Sequence, residues 1–446
     1  MNSVTDNAPY AVIAGLGATG LSCARYLHEH GWRLAVTDTR PAPPQLAALA
    51  ALDARIPVRL GALDPELLEG AVFVVASPGL PVCGPFFDEA QRRGLAVVGD
   101  IELFARAAAA PVVGVTGTNG KSTVTTLVAG MALRAGLKVR AGGNLGPPAL
   151  DLLAEGTELY VLELSSYQLE TTSSLCCRAA TVLNVSADHL DRYPSLASYA
   201  AAKARIFARC DTAVINLDDP LVVAMPRTAS STLSFSLRAS VGATYALALH
   251  QGEWWLTRAG APLLRATELR TRGAHNAANA LAALAIGEAL ALPLAAMLEE
   301  LRSFAGLPHR SQWIANRQGV AYIDDSKGTN VGATLAAVAG MPGPVVLIAG
   351  GDGKKQNFSP LAAGFRGKVR HVVLIGRDAP LIARALDGVC PIERCATLPQ
   401  AVQAAARAAR PGDTVLLSPA CASFDMFRDY AHRGEVFAEA VQELAA

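Results

Sequence analysis

The sequence predicts an α/β protein of three domains. Three observations carry that expectation. Short apolar runs alternate with alanine-rich helical stretches along the chain, as expected for parallel strands covered by helices. Two glycine-rich segments, at 15–20 and 117–120, each follow an apolar run and open a helical stretch. The length, 446 residues, suits roughly three domains of about 150 residues.

Candidate strands lie at 11–14, 33–37 and 72–76, then at 112–115, 159–164, 181–185 and 213–217, and finally at 320–323, 345–349, 372–375 and 414–417. Most are apolar at successive positions, the pattern of strands buried on both faces. One boundary is expected near Val98-Gly99-Asp100, before the second glycine-rich segment. Another is expected near Gly306-Leu307-Pro308, where a helical stretch stops and proline follows. The domains are thus 1–98, 99–306 and 307–446. Segment 232–264, with Trp254 and Trp255, reads as a short antiparallel insertion. Stretch 277–298 reads as one buried, alanine-rich helix.

That stretch is interrupted by Asn279, Glu288 and Pro293, so it lacks the roughly 20 apolar residues in a row that a membrane span needs. The first residues have neither the basic start nor the apolar run of a signal peptide. Lys plus Arg is 39 against 38 Asp plus Glu, a net charge of +1. A dedicated nucleic-acid binder would show a basic excess. The eight cysteines contain no CxxC pair and read as reduced, mostly buried thiols of a cytoplasmic protein.

The strongest chemical signal is PVVGVTGTNGKST at 111–123. A strand leads into glycines that let backbone N–H groups face phosphate oxygens, and Lys121 and Ser122 open a helix whose N-terminus favours anions. The general phosphate-loop pattern wants glycine at 115, where Val115 stands. Strand 159–164 delivers Glu163, placed as a Mg²⁺ carboxylate would be. Strand 181–185 delivers Asp188 and His189 to the same strand ends, where open α/β sheets bind ligands. In the first domain, GLGATG at 15–20 and Asp38, 18 residues after Gly20, would by themselves suggest a dinucleotide fold and an oxidoreductase.

TGTNGKST, LELSSYQLE, NVSADHLDRY and AAKARIF occur in this order and together resemble the Mur ligase family, which builds the peptide stem of bacterial peptidoglycan. The resemblance covers essentially the whole chain. It implies a Rossmann-like N-terminal domain, a central P-loop-type ATPase domain and a Rossmann-like C-terminal domain. It places ATP against Gly117, Thr118, Asn119, Gly120, Lys121, Ser122 and Thr123, with Asn276, Asn279, Arg310 and Asp325. It gives Mg²⁺ to Ser122, Glu163, His189 and Lys203, the last as a carbamylated lysine. Without the family, Lys203 on its alanine-rich helix would read as a surface lysine. Lys121, His189, Lys203 and Lys327 form the implied catalytic set.

Within the family, the glycine motif with Asp38-Thr39-Arg40 and Ser77-Pro78-Gly79 resembles the UDP-binding domain of the D-glutamate-adding branch. That implies Gly17, Thr19, Asp38, Thr39, Arg40 and Ser77 on UDP-N-acetylmuramoyl-L-alanine, with Asn144 facing it from the middle domain. Gly306–Arg310 is the implied hinge, with His309 and Arg310 near ATP. Thr329, Lys354, Ser423, Phe424 and Tyr430 are the implied D-glutamate pocket, Lys355 being solvated. Gly328 stands where alanine is expected, a departure read as affecting loop stiffness alone. A monomer is expected. The DNPR motif of the diaminopimelate-adding branch is missing. Rival readings are another Mur ligase, a folylpolyglutamate synthase, a NAD-dependent oxidoreductase, and a P-loop switch that only hydrolyses nucleotide.

Overall fold

The computed structural model describes residues 8–271 and 273–444. Its strands form three sheets. The first holds β1 (Tyr10–Ala14), β2 (Arg33–Asp38), β3 (Val58–Leu60), β4 (Phe73–Ala76) and β5 (Ala96–Val98), all parallel in the order β3-β2-β1-β4-β5. The strand order reverses between β1 and β4. The loops after these two strands therefore diverge and leave a crevice.

The second sheet holds β6 (Val112–Thr116), β7 (Val139–Gly143), β8 (Leu159–Glu163), β9 (Cys177–Val182), β10 (Cys210–Asn216), β11 (Ser231–Ser236), β12 (Tyr245–His250), β13 (Glu253–Arg258) and β14 (Ala261–Arg265). Its order is β14-β13-β12-β11-β10-β9-β6-β8-β7. The expected insertion at 232–264 is not a separate unit. β11 joins β10 in parallel, and the antiparallel β12–β14 continue the same sheet. The third sheet holds β15 (Gln312–Arg317), β16 (Val320–Asp324), β17 (Val345–Gly350), β18 (Val369–Ile375), β19 (Ile392–Arg394) and β20 (Thr414–Leu417). They run β15-β16-β20-β17-β18-β19, parallel except for β15.

Burial on both faces explains the uninterrupted apolar strands. Ala11 and Ile13 of β1 pack with Leu27 and Phe104, while Val12 and Ala14 pack with Phe86 and Phe87 on the other side. Each fully buried large side chain contributes about 1.5–3 kcal/mol. The stretch 277–298 is two helices, Ala274–Ala289 and Leu294–Ser303. Pro293 sits at the second N-terminus, where its missing N–H and fixed φ are tolerated, and it cannot continue the first helix. The cysteines are also more exposed than expected. Cys23, Cys177, Cys210 and Cys421 are buried, Cys390 and Cys395 are intermediate, and Cys83 and Cys176 are exposed.

The segment at 306–310, expected as a hinge, is fixed to the third sheet by a close approach. His309, at φ 60°, pairs its Nδ1 with Asp324 Oδ2 at 2.6 Å. Gly434, inside helix Tyr430–Gln442, makes room for that pair. A Cβ there would stand 2.6 Å from Asp324 Oδ2 and closer still to His309 Nδ1. Alanine gains roughly 1 kcal/mol of helix propensity but must displace the pair. Gly434→Ala is therefore expected to be destabilising by about 1–3 kcal/mol net, read by urea denaturation.

Candidate active site

The carboxyl ends of β6, β8 and β9 meet at the second sheet's reversal point. After β6 the chain turns through Gly117 (φ 149°) and Gly120 (φ 85°) into helix Lys121–Arg134. Glycine is needed at 120 on two counts: the positive φ, and Asn279 Oδ1, which would collide with any Cβ. The loop is fixed from β9 by Asn184, which the sequence reading left without a role. Thr118 N donates to Asn184 O at 2.9 Å and Asn119 N to Asn184 Oδ1 at 2.8 Å, and Asn184 Nδ2 returns a bond to Asn119 O at 3.0 Å. These bonds end β9 at Val182, earlier than the expected 181–185. The polar groups of residues 183–184 serve the phosphate loop and β10 instead, with Leu183 N donating to Thr116 O and Asn216 Nδ2 to Leu183 O.

Lys121 Nζ lies across this loop, donating to Gly117 O at 3.0 Å and Thr118 O at 2.9 Å. Burial pushes its pKa down against the opposing pull of Glu163. Glu163 is buried at the end of β8. Burial opposes its charge, yet Lys121, Ser122, Asn144 and Arg310 outweigh it and hold the carboxyl below its ordinary range. Its Oε1 accepts from Asn144 Nδ2 at 2.6 Å. Its Oε2 is buried with no hydrogen-bond partner.

Lys203 is only 1% exposed. Its Nζ donates to Gly117 O at 2.9 Å, weakly to Thr116 Oγ1 at 3.5 Å, and lies 4.5 Å from the centre of the Tyr199 ring. No carboxylate among the described residues pairs with it. Burial, then the Lys121 charge, pushes its pKa well down. His189, at φ 56°, is likewise lowered to about 4, by burial first, with Asp188 pulling the other way. Its imidazole is therefore neutral at pH 7, the form that ligates metals.

These observations test whether the donor set suits magnesium. Among the described residues no cluster of three or more His, Cys, Asp or Glu side chains is arranged to hold a metal. Mg²⁺, however, binds through one or two carboxylates, phosphate oxygens and water. Ser122 and the orphaned Glu163 Oε2 fit that chemistry, and an oxygen-bearing derivative of Lys203 would add to it.

The third domain closes the site from above. Arg310 Nη2 donates to Ser122 Oγ at 2.7 Å. Asn330 Nδ2 donates to Asn119 Oδ1 at 3.0 Å and Asp188 Oδ2 at 3.3 Å. Lys354 Nζ donates to Asp188 Oδ1 at 2.7 Å, so the lysine expected to take a substrate carboxylate holds a carboxylate of this chain. Lys327 lies 3.6 Å from the centre of the Tyr430 ring. Burial first, then Arg310 and Lys121, lowers it to about 8. Asp325 is pushed up to about 6 by burial, against hydrogen bonds from Ser418 Oγ at 2.7 Å and Ser311 N at 3.0 Å. Gly328 does more than set loop stiffness. A Cβ there would stand 2.6 Å from both Asp325 Oδ2 and Ser418 Oγ, so alanine would break up this pair.

Gly120, Thr123, Asn276, Asn279, Arg310 and Asp325 line one cavity between the second and third domains. A second cavity, about 530 Å³, opens where β1 and β4 diverge, and Gly17, Thr19, Asp38, Thr39, Arg40, Ser77 and Asn144 line it. Within that wall Asp38 accepts from Leu16 N at 2.6 Å and from the Arg40 guanidinium at 2.9 and 2.6 Å. Ser77 Oγ donates to Gly15 O at 2.8 Å. Asn144 alone of these residues reaches the phosphate-loop cluster directly, through Glu163. Of the remaining expected residues, Thr329 N donates to Lys327 O at 2.8 Å, Ser423 is buried, Phe424 is 75% exposed, and Lys355 is exposed.

Three α/β units around a phosphate loop, with a carboxylate and a buried lysine facing it, define a nucleotide-dependent ligase architecture. The chain belongs to the Mur ligase family. The Mur ligase middle-domain pattern matches residues 115–287, the MurD-like N-terminal pattern 10–99, and the Mur ligase glutamate ligase pattern 309–421. UDP-N-acetylmuramoylalanine–D-glutamate ligase of Methylococcus capsulatus is 51% identical over 434 residues, covering 97% of this chain and 95% of that protein. Its Pseudomonas aeruginosa counterpart is 51% identical over 440 residues, covering 98% of both. In fold, the chain is similar to UDP-N-acetylmuramate–alanine ligase of Thermotoga maritima: TM-score 0.62, 20% identity, 98% of this chain and all of that one.

Proposed function

We infer that this chain is an ATP-dependent ligase that adds D-glutamate to UDP-N-acetylmuramoyl-L-alanine in peptidoglycan synthesis. The 51% identity to D-glutamate ligases across nearly the full chain carries the inference. In this reading residues 1–98 hold the UDP-sugar, 99–306 hold ATP and 307–446 deliver D-glutamate.

The alanyl carboxylate takes the γ-phosphoryl group of ATP, giving an acyl phosphate and ADP. The D-glutamate amine then attacks the activated carbonyl, and the tetrahedral intermediate expels phosphate. Both reactants of the first step are anions, so repulsion is the problem the site must solve. Lys121, Lys327 and Arg310 bring positive charge to the phosphates. Bound Mg²⁺ supplies further charge neutralisation at the phosphate oxygens, with Ser122, Glu163, His189 and a carbamylated Lys203 as the residues to hold it. Lys354 exchanges Asp188 for a substrate carboxylate, and Ser423, Thr329 and Tyr430 shape that pocket. Closure of the third domain excludes water, which would hydrolyse the acyl phosphate.

No helix among the described residues is long and apolar enough to cross a membrane. Phosphate release should require both the UDP-sugar and D-glutamate. Release with ATP and magnesium alone, or with another amino acid equally, would overturn the reading.

A further inference from the structure

Arg192 joins two parts of the molecule that substrate must span. It follows the strained His189, and its backbone N–H closes the turn onto His189 O at 3.0 Å. Its guanidinium leaves that turn in the direction of the first domain. Nη1 donates to Pro78 O at 3.0 Å, and Nη2 donates to Glu170 Oε2 at 2.8 Å. The group lies 4.2 Å from the centre of the Tyr167 ring, and that ring meets the His189 ring edge-on at 5.0 Å. The side chain is 13% exposed, so its bonds are little weakened by competing water. Pro78 belongs to the loop after β4 and lines the first-domain cavity. Its neighbour Ser77 ties the loop to Gly15 on the opposite wall.

We propose that Arg192 is a positioning residue that fixes the Ser77–Gly79 wall of the UDP-sugar cavity relative to the His189 turn. This rests on the reaction assigned above. The substrate's nucleotide lies in one domain and its carboxylate must reach the phosphate loop of another. A displacement of about 1 Å at the reacting atoms is worth roughly a hundredfold in rate. Arginine suits the task because its planar fork serves two acceptors at once while stacking on an aromatic ring. A brace serving only the central domain would need Glu170 and Tyr167; the bond to Pro78 reaches beyond it.

Arg192→Met keeps the stem over Tyr167 and removes both hydrogen bonds. In the full chain it is expected to raise KM for the UDP-sugar about tenfold and lower kcat about tenfold, with KM for ATP within about twofold. Arg192→Lys, which can still reach one acceptor, should recover part of both losses. Calorimetry of UDP-N-acetylmuramoyl-L-alanine without ATP should show the same weakening. Unchanged constants in the Met variant overturn the proposal, as does equal weakening toward all three substrates with a lowered Tm. If the Met variant does not fold, a Lys variant with wild-type constants overturns it. Wild-type protein that binds no UDP-sugar would instead remove the assigned reaction itself.

Discussion

Lys203→Ala loses at least about a hundredfold in kcat, and a short-chain carboxylic acid restores part of it. The reasoning starts from burial. An ammonium at 1% exposure with no carboxylate partner is an expensive group to leave charged. Its depressed pKa, caused by burial and then by Lys121, leaves a larger neutral fraction at pH 7. A neutral amine has the lone pair needed to add to the carbon of CO2; a proton leaves, and a carbamate remains. The product is an anion with two hard oxygens placed beside the phosphate loop, as Mg²⁺ requires. Alanine leaves a void where an acetate-sized acid can sit and supply those oxygens. Rescue should saturate with acid concentration and fail for a bulky acid. Failure of every small acid, with ATP binding intact, counts against the carbamate.

The sequence made the strand ends legible wherever backbone bonding followed the apolar run. β1, β4, β6, β8, β16, β17 and β20 end within one residue of expectation, where a glycine or a polar residue interrupts each apolar run. β9 differs because residues 183–184 bond the phosphate loop, a partner no local pattern reveals. β7 is hidden from the sequence for a similar reason: Gly142 and Gly143 interrupt its apolar run, yet Pro147 O and Glu163 O stand where their Cβ atoms would be. In the site, Lys121 and Glu163 follow from spacing alone. Lys203 does not, since nothing in an alanine-rich helix says which face is buried. Asn184 and Arg192 sit inside the motif that drew attention to His189, but their roles are backbone contacts made to distant segments. Lys354 carries a charge that spacing makes visible, while its partner here, Asp188, is set by the meeting of two domains.

Glu163→Gln is expected to raise the magnesium concentration for half-maximal activity at least about tenfold and to lower kcat about a hundredfold. The substitution is informative because the two carboxylate oxygens have different duties. Oε1 already accepts from Asn144 at 2.6 Å, and an amide oxygen can keep that bond. Oε2, buried without a partner, is the atom replaced by NH2. Shape and burial are preserved, while a charge-bearing acceptor becomes a donor facing Lys121 and Arg310, both of which now lose their attracting carboxylate. The same change leaves the lowering of the Lys121 pKa by burial less opposed, because Glu163 is the first group that raises it; the variant's activity should therefore fall off at a lower alkaline pH than the wild type's. Titration with Mn²⁺ followed by electron paramagnetic resonance separates metal affinity from turnover. A variant with wild-type metal affinity and an unchanged magnesium requirement would show that Oε2 serves no cation, and would leave its burial without a chemical reason.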